Sequence, residues 1–229
     1  MRGTSEVISA VSLAAVSWSL WRVGKAMALI FSLGSHQPMP PSPAWYAGGV
    51  LLFLGAHEFG HWRTAKRLGA YPGWPIFFPW PLSVAAWVGW AWLPAFGTLG
   101  AWLRIRGYTR LSGSSQWRIA VAGPLAGLAV SVVLLAVGVA LSAPVPTGRH
   151  IWSKLPVPLL VNALVPDGIL WHPLIMAGWL GVLVTGLNLL PFPGLDGWTL
   201  WSRWAFLTGW QRACTVLSGG MVCACLPWF

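Results

Sequence analysis

Residues 57–61 read His57-Glu58-Phe59-Gly60-His61. On a helix the two histidines, four residues apart, project their imidazoles from one face and can share a zinc ion. The glutamate between them is placed to take a proton from a water that the metal activates. With five His and four Asp plus Glu in 229 residues, this pattern is expected about 0.002 times by chance. The plain alternative is two core histidines bonded to backbone or water. That alternative is weakened because the motif closes an apolar stretch rather than sitting in a polar one.

Two histidines leave zinc one protein ligand short of the usual catalytic three. The chain has only four acids, Glu6, Glu58, Asp167 and Asp196. Of these, Glu58 and Asp196 stand in strongly apolar segments, where an unpaired carboxylate is costly. Asp196, in Asn188-Leu-Leu-Pro-Phe-Pro-Gly-Leu-Asp196-Gly197, is the best third ligand, although Asp-Gly by itself reads as a turn. The expected cofactor is one zinc ion (Zn2+) per chain.

The elements that carry these residues must lie in a bilayer. The chain is 56% hydrophobic and 8% charged, with a mean hydropathy of +0.67. A soluble surface needs about 25% charged residues. The reading is one all-α polytopic domain over residues 1–229, with membrane helices near 7–33, 44–67, 117–142, 171–194 and 199–228. The last could instead divide into a short amphipathic piece and a span from about Arg212, giving six helical segments. Residues 71–106 are apolar but broken by Pro72, Pro75, Pro79, Pro81 and Pro94. They read as a non-helical hairpin or re-entrant insertion packed against the bundle.

Net charge is +10, but the basic residues fall between apolar stretches and form no continuous face. Lipid headgroups account for them, and no nucleic-acid partner is expected. Ten basic residues fall on one side of the predicted spans, namely Arg2, Arg63, Lys66, Arg67, Arg104, Arg106, Arg110, Arg118, Arg203 and Arg212. Arg149 and Lys154 fall opposite, in a 143–170 loop. The basic side is then cytoplasmic and the N-terminus inside, which places the ends carrying His57, His61 and Asp196 at one depth. Glu6 interrupts what would otherwise resemble a signal peptide, so the first segment is expected to be retained.

The chain resembles the site-2 protease family of membrane zinc proteases, particularly the short forms without a PDZ domain. The resemblance is carried by Gly55-Ala-His-Glu-Phe-Gly-His61, Gly97-Thr-Leu-Gly-Ala101 and Ala122-Gly-Pro-Leu-Ala-Gly127. It continues through His172 to Pro191 and on to Leu195-Asp196-Gly197. It implies hydrolysis of membrane-spanning protein substrates within or at the edge of the bilayer, as in regulated intramembrane proteolysis. It implies His57, His61 and Asp196 as ligands and Glu58 as base, with Asn188 holding substrate or oxyanion. Asn188 is one or two helical turns before Asp196, within reach of that role. The segment Gly97, Thr98, Leu99 and Gly100 would receive an unwound substrate by strand addition. The expected setting is the plasma membrane of a bacterium.

Trp198 and Thr199 depart from the family, which commonly has glycine and often histidine there. This departure favours the alternative of a non-proteolytic metal-binding protein that sequesters single-pass partners; intact Glu58 opposes it. A transporter is disfavoured because the two halves show no repeat. His172 reads as a helix cap, His36 and His150 as loop residues, and Cys214, Cys223 and Cys225 as small apolar helix residues. Cysteine-accessibility labelling should place residues 63–67, 104–118 and 203 on the cytoplasmic side and residues 145–168 opposite. Cytoplasmic labelling of the latter loop would overturn the shared depth.

Overall fold

A computed structural model describes residues 2–35, 42–79, 98–141, 172–191, 193–213 and 215–216. The 143–170 loop lies outside the described residues, as do His36, Gly97, Cys214, Cys223 and Cys225. The described residues are mostly helical. Helices α1 (Arg2–Ser35), α2 (Pro43–Arg67), α3 (Gly113–Leu141) and α4 (Pro173–Asn188) form the bundle, followed by a short α5 (Asp196–Ser202). Between α2 and α3 lie β1 (Tyr71–Pro72), β2 (Ile76–Pro79), β3 (Thr98–Trp102) and β4 (Ile105–Arg106).

By length and composition, two helices among the described residues could cross a membrane: α1 over Thr4–Lys25 and α3 over its whole length. Helix α4 is apolar but has 16 residues, about 24 Å at 1.5 Å per residue. Helix α2 has 25 residues, but His57, Glu58, His61, Arg63, Lys66 and Arg67 crowd its last turns and lower its hydropathy. Exposed apolar side chains along α1 and α3, among them Val11, Trp18, Val132 and Val137, suit contact with lipid rather than water.

The ends of α2 follow local chemistry. Ser42 caps the N-terminus, its hydroxyl accepting from the Ala44 N–H, and Pro43 occupies the first turn, where its missing donor costs nothing. At the other end Lys66 and Arg67 complement the helix dipole, and Gly69 takes a φ of +80° that a side chain would resist. The core joins Val16 and Leu20 of α1, Tyr46, Val50 and Phe53 of α2, Leu134 of α3 and Ala177 and Leu180 of α4. Helix α3 runs antiparallel to α2 and approaches it closely at Gly60, where any Cβ would run into the Ala122 carbonyl.

Of the expected 71–106 insertion, residues 80–97, with Pro81 and Pro94, lie outside the described residues; in the rest, β1 pairs antiparallel with β4, Tyr71 opposite Arg106, and β2 with β3, Ile76 opposite Trp102 and Phe78 opposite Gly100. Helix α1 grips it through Ser9, whose hydroxyl donates to the Pro75 carbonyl at 2.6 Å. Ser12 helps from the next turn, accepting from the Phe77 N–H at 3.0 Å.

One expected boundary needs correction, and one of two expected readings is selected. The span placed at 171–194 is helical only to Asn188, because Pro191 and Pro193 cannot extend the ladder. At its start the stretch placed at 199–228 follows the divided alternative and not the single helix. Helix α5 stops at Ser202, a 3-10 turn covers Trp204–Phe206, and helical backbone resumes at Gly209. The physical reason is a reciprocal cap: the Thr208 N–H donates to Gln211 Oε1 at 3.0 Å while the Gln211 N–H donates to the Thr208 hydroxyl at 3.4 Å. Residues beyond 216 lie outside the described part.

Gly60→Ala should cost about 1–3 kcal/mol through overpacking against α3. Gly55→Ala, on the same helix with nothing near its Cβ position, should be neutral or stabilising by up to about 1 kcal/mol. Thermal melting of the detergent-solubilised protein reads both, and equal melting points would refute the tight contact.

Candidate metal centre

Helix α2 supplies the first two donors. His57 and His61 are one turn apart on its buried face, 5% and 7% exposed, and Glu58 is 6% exposed. Their Nε2 atoms stand 3.2 Å apart and the rings meet edge to face with centroids 4.9 Å apart. The His61 Nδ1–H donates to the Ile119 carbonyl of α3 at 2.7 Å, which leaves the lone pair on Nε2. Gly123 makes room for that ring: a Cβ there would collide with the imidazole. The glycine therefore does more than let two helices touch.

The third donor arrives from the far side of the bundle. Helix α4 ends at Asn188, and Gly194 takes a φ of +95°, a backbone angle that favours glycine. Asp196 then opens α5. Gly197 lies so close to the Leu189 and Leu190 carbonyls that any side chain would displace them, so Asp-Gly here is a packing requirement. Asp196 Oδ2 lies 3.3 Å from His57 Nε2 and 3.3 Å from His61 Nε2. Burial pushes the Asp196 carboxyl up, but the charge and hydrogen bonds of His61 and His57 in their protonated, metal-free form outweigh it and hold it down at about 2. It is therefore an anionic donor across the physiological range.

The three donor atoms form a triangle with edges of 3.2, 3.3 and 3.3 Å. Donors about 2.0–2.1 Å from a tetrahedral zinc stand about 3.3–3.4 Å from one another. The two nitrogens and one oxygen thus fit that ion in both chemistry and spacing, and His57, His61 and Asp196 form a group able to hold a metal. Asn188, at the last residue of α4, brings Nδ2 to 3.4 Å from His57 Nε2.

A cavity of about 470 Å³ opens on this triangle, and Glu58 and Asn188 line it with the donors. Of the four residues expected to receive substrate, Gly97 is outside the described residues. Thr98, Leu99 and Gly100 lie on β3, and the next two strand residues, Ala101 and Trp102, line the cavity. Trp198 stands at the cavity wall, 47% exposed, and takes the place of no donor. Thr199 has a structural partner: the Tyr108 hydroxyl lies 3.4 Å from its Oγ1 and 3.4 Å from the Gln116 carbonyl. That tie holds α5 to the segment after β4. Tyr108 and Ile119 were not singled out from sequence. His172 caps α4, its Nδ1 accepting from the Leu174 N–H at 3.3 Å, and takes no part in the centre.

Residues 45–212 match the family model for peptidase family M50. The probable zinc metalloprotease EGY2, chloroplastic, of Arabidopsis thaliana is 30% identical over 182 residues, covering 75% of this chain and 30% of that protein. The probable zinc metalloprotease EGY1, chloroplastic, of Oryza sativa subsp. japonica is 29% identical over 175 residues, covering 70% of this chain and 28% of that protein. The chain thus spans less than a third of the length of these curated relatives. No solved structure matches. With the motif, the donor triangle and the match over residues 45–212 in agreement, the chain belongs to peptidase family M50, the site-2 protease family.

Proposed function

We propose that this chain is a zinc metalloendopeptidase that cuts membrane-spanning protein substrates within or at the edge of the bilayer. The observation that carries this reading is the triangle of His57, His61 and Asp196 beside Glu58, at the floor of a cavity walled by β3. Zinc held there would activate a water and polarise the substrate carbonyl.

Glu58 follows His57 directly and lines the same cavity. Its carboxylate takes the proton from the attacking water and returns it to the leaving amine. The Asn188 amide, beside His57, donates to the developing oxyanion. A transmembrane helix keeps its peptide bonds hydrogen-bonded and enclosed, so the substrate must unwind first. Strand β3 pairs along one edge with β2 among the described residues, and its other edge offers backbone partners to an extended peptide. The five-span topology with a cytoplasmic N-terminus, and a bacterial plasma membrane as its location, belong to the same reading. It draws support from the apolar helices and from the distribution of basic residues.

Purified protein should carry about one zinc per chain, and His57→Ala with His61→Ala should abolish it; full zinc content in the double variant would sink the site. Asp196→Asn keeps size but removes the charge that balances zinc, so metal content and cleavage of a transmembrane reporter should fall together. Glu58→Gln should keep its zinc and lose cleavage by about 100-fold or more. Normal zinc and normal cleavage in Asp196→Asn would remove it from the ligand set. Normal cleavage in Glu58→Gln would end its role as base.

A further inference from the structure

The two histidines of the centre are not equally supported. His61 gives its second ring nitrogen to the Ile119 carbonyl, whereas His57 Nδ1 is buried and meets no hydrogen-bond partner among the described residues. In α4, Thr185 Oγ1 is buried and unpartnered in the same way, on a side chain 1% exposed. Such atoms are expensive in an apolar interior, and two of them in neighbouring helices of one bundle call for an explanation.

Helix register brings the two together. Helices α2 and α4 run parallel, with Gly49 against Ala177 and Phe53 against Gly181. Four residues further along each helix stand His57 and Thr185. Asn188, one turn beyond Thr185, touches His57 Nε2 at 3.4 Å, so this turn of α4 does face the imidazole. From α3, Gly127 meets the same spot without a side chain: a Cβ there would stand 3.2 Å from His57 Nδ1. Gly127 itself thus offers Nδ1 no side-chain partner, and the turn of α4 that faces this ring carries the unpartnered Thr185 hydroxyl.

We propose that Thr185 is a positioning residue for the metal centre, its hydroxyl oxygen accepting the His57 Nδ1–H through one buried water. The bond fixes the tautomer in which His57 Nε2 keeps its lone pair toward His61 and Asp196, and it fixes the ring's rotation. Ligating histidines generally give their other N–H to such a partner, and its loss typically costs 10–100-fold in metal affinity. Two polar groups are the minimum that holds an internal water, and these two are both buried and unpartnered. The assignment rests on the proposed role of His57 as a zinc ligand.

The test uses the full chain in detergent, with zinc affinity read by chelator competition and cobalt substitution read by visible absorption. Wild type is measured first, and failure to bind zinc there would sink the metal centre itself and this assignment with it. Given binding, Thr185→Val keeps the shape but lacks the hydroxyl, and it should weaken zinc about 10–100-fold and alter the cobalt bands. Thr185→Ser should restore most of the affinity and the wild-type spectrum. Thr185→Ala replaces the valine variant if that one does not fold. A hydroxyl that serves no one predicts the opposite, because removing an unpaired buried polar group should raise the melting temperature of the metal-free protein and leave zinc binding unchanged. Wild-type affinity in the hydroxyl-free variant, or a serine variant as defective as valine, overturns the assignment.

Discussion

One carboxylate meeting two imidazoles in apolar surroundings sets the terms for everything around it. A buried charge without partners is costly, and in a bilayer no water stands ready to relieve it. Asp196 must therefore reach His57 and His61, and the chain is shaped to bring it there. Helix α4 ends early, a glycine at positive φ turns the chain, and a second glycine packs against carbonyls the first helix has left behind. The sequence Pro-Gly-Leu-Asp-Gly carries a turn and a carboxylate together because the carboxylate reaches the two imidazoles through the turn.

The helices meet this constraint by close approach. Association in lipid relies on packing and polar contacts rather than on a hydrophobic effect, which favours small residues at the contacts. Here glycine at 60 seats α2 against the α3 backbone, and glycine at 123 admits an imidazole. Close backbones also shorten the reach of hydrogen bonds, so a main-chain carbonyl of one helix can orient a metal ligand on the next. Packing and chemistry thus depend on the same interhelical distance.

What could be read from the sequence followed what side chains and spacing encode. The i, i+4 histidines with their glutamate, the third acid in an apolar segment and the proline-broken insertion all depend on residue type and local period. The helical bundle, the paired strands and the meeting of Asp196 with both histidines agree with that reading. Contributions from backbone atoms or helix register were hidden. The Ile119 carbonyl has no signature in residue type, and Thr185 matters only once α2 and α4 are known to run parallel. The break after Ser202 was one of two readings, and Thr208-Gly-Trp-Gln211, which spells a capping box, favours it over the single span that hydropathy averaging suggests. The count of spans suffers from the same averaging, because the polar half of α2 dilutes its apolar half.

The order of the donors along the chain has a consequence for biosynthesis. His57 and His61 leave the ribosome early, on α2, and Asp196 leaves only after α3 and α4 have been made. A chain arrested anywhere before α5 carries two imidazoles and a glutamate with no anionic partner, and two donors hold zinc far less firmly than three. Under the proposed reading, the hydrolytic centre cannot assemble on a half-made bundle. On that reading, cleavage of membrane helices is withheld while the chain's own helices α3 and α4 are still being made.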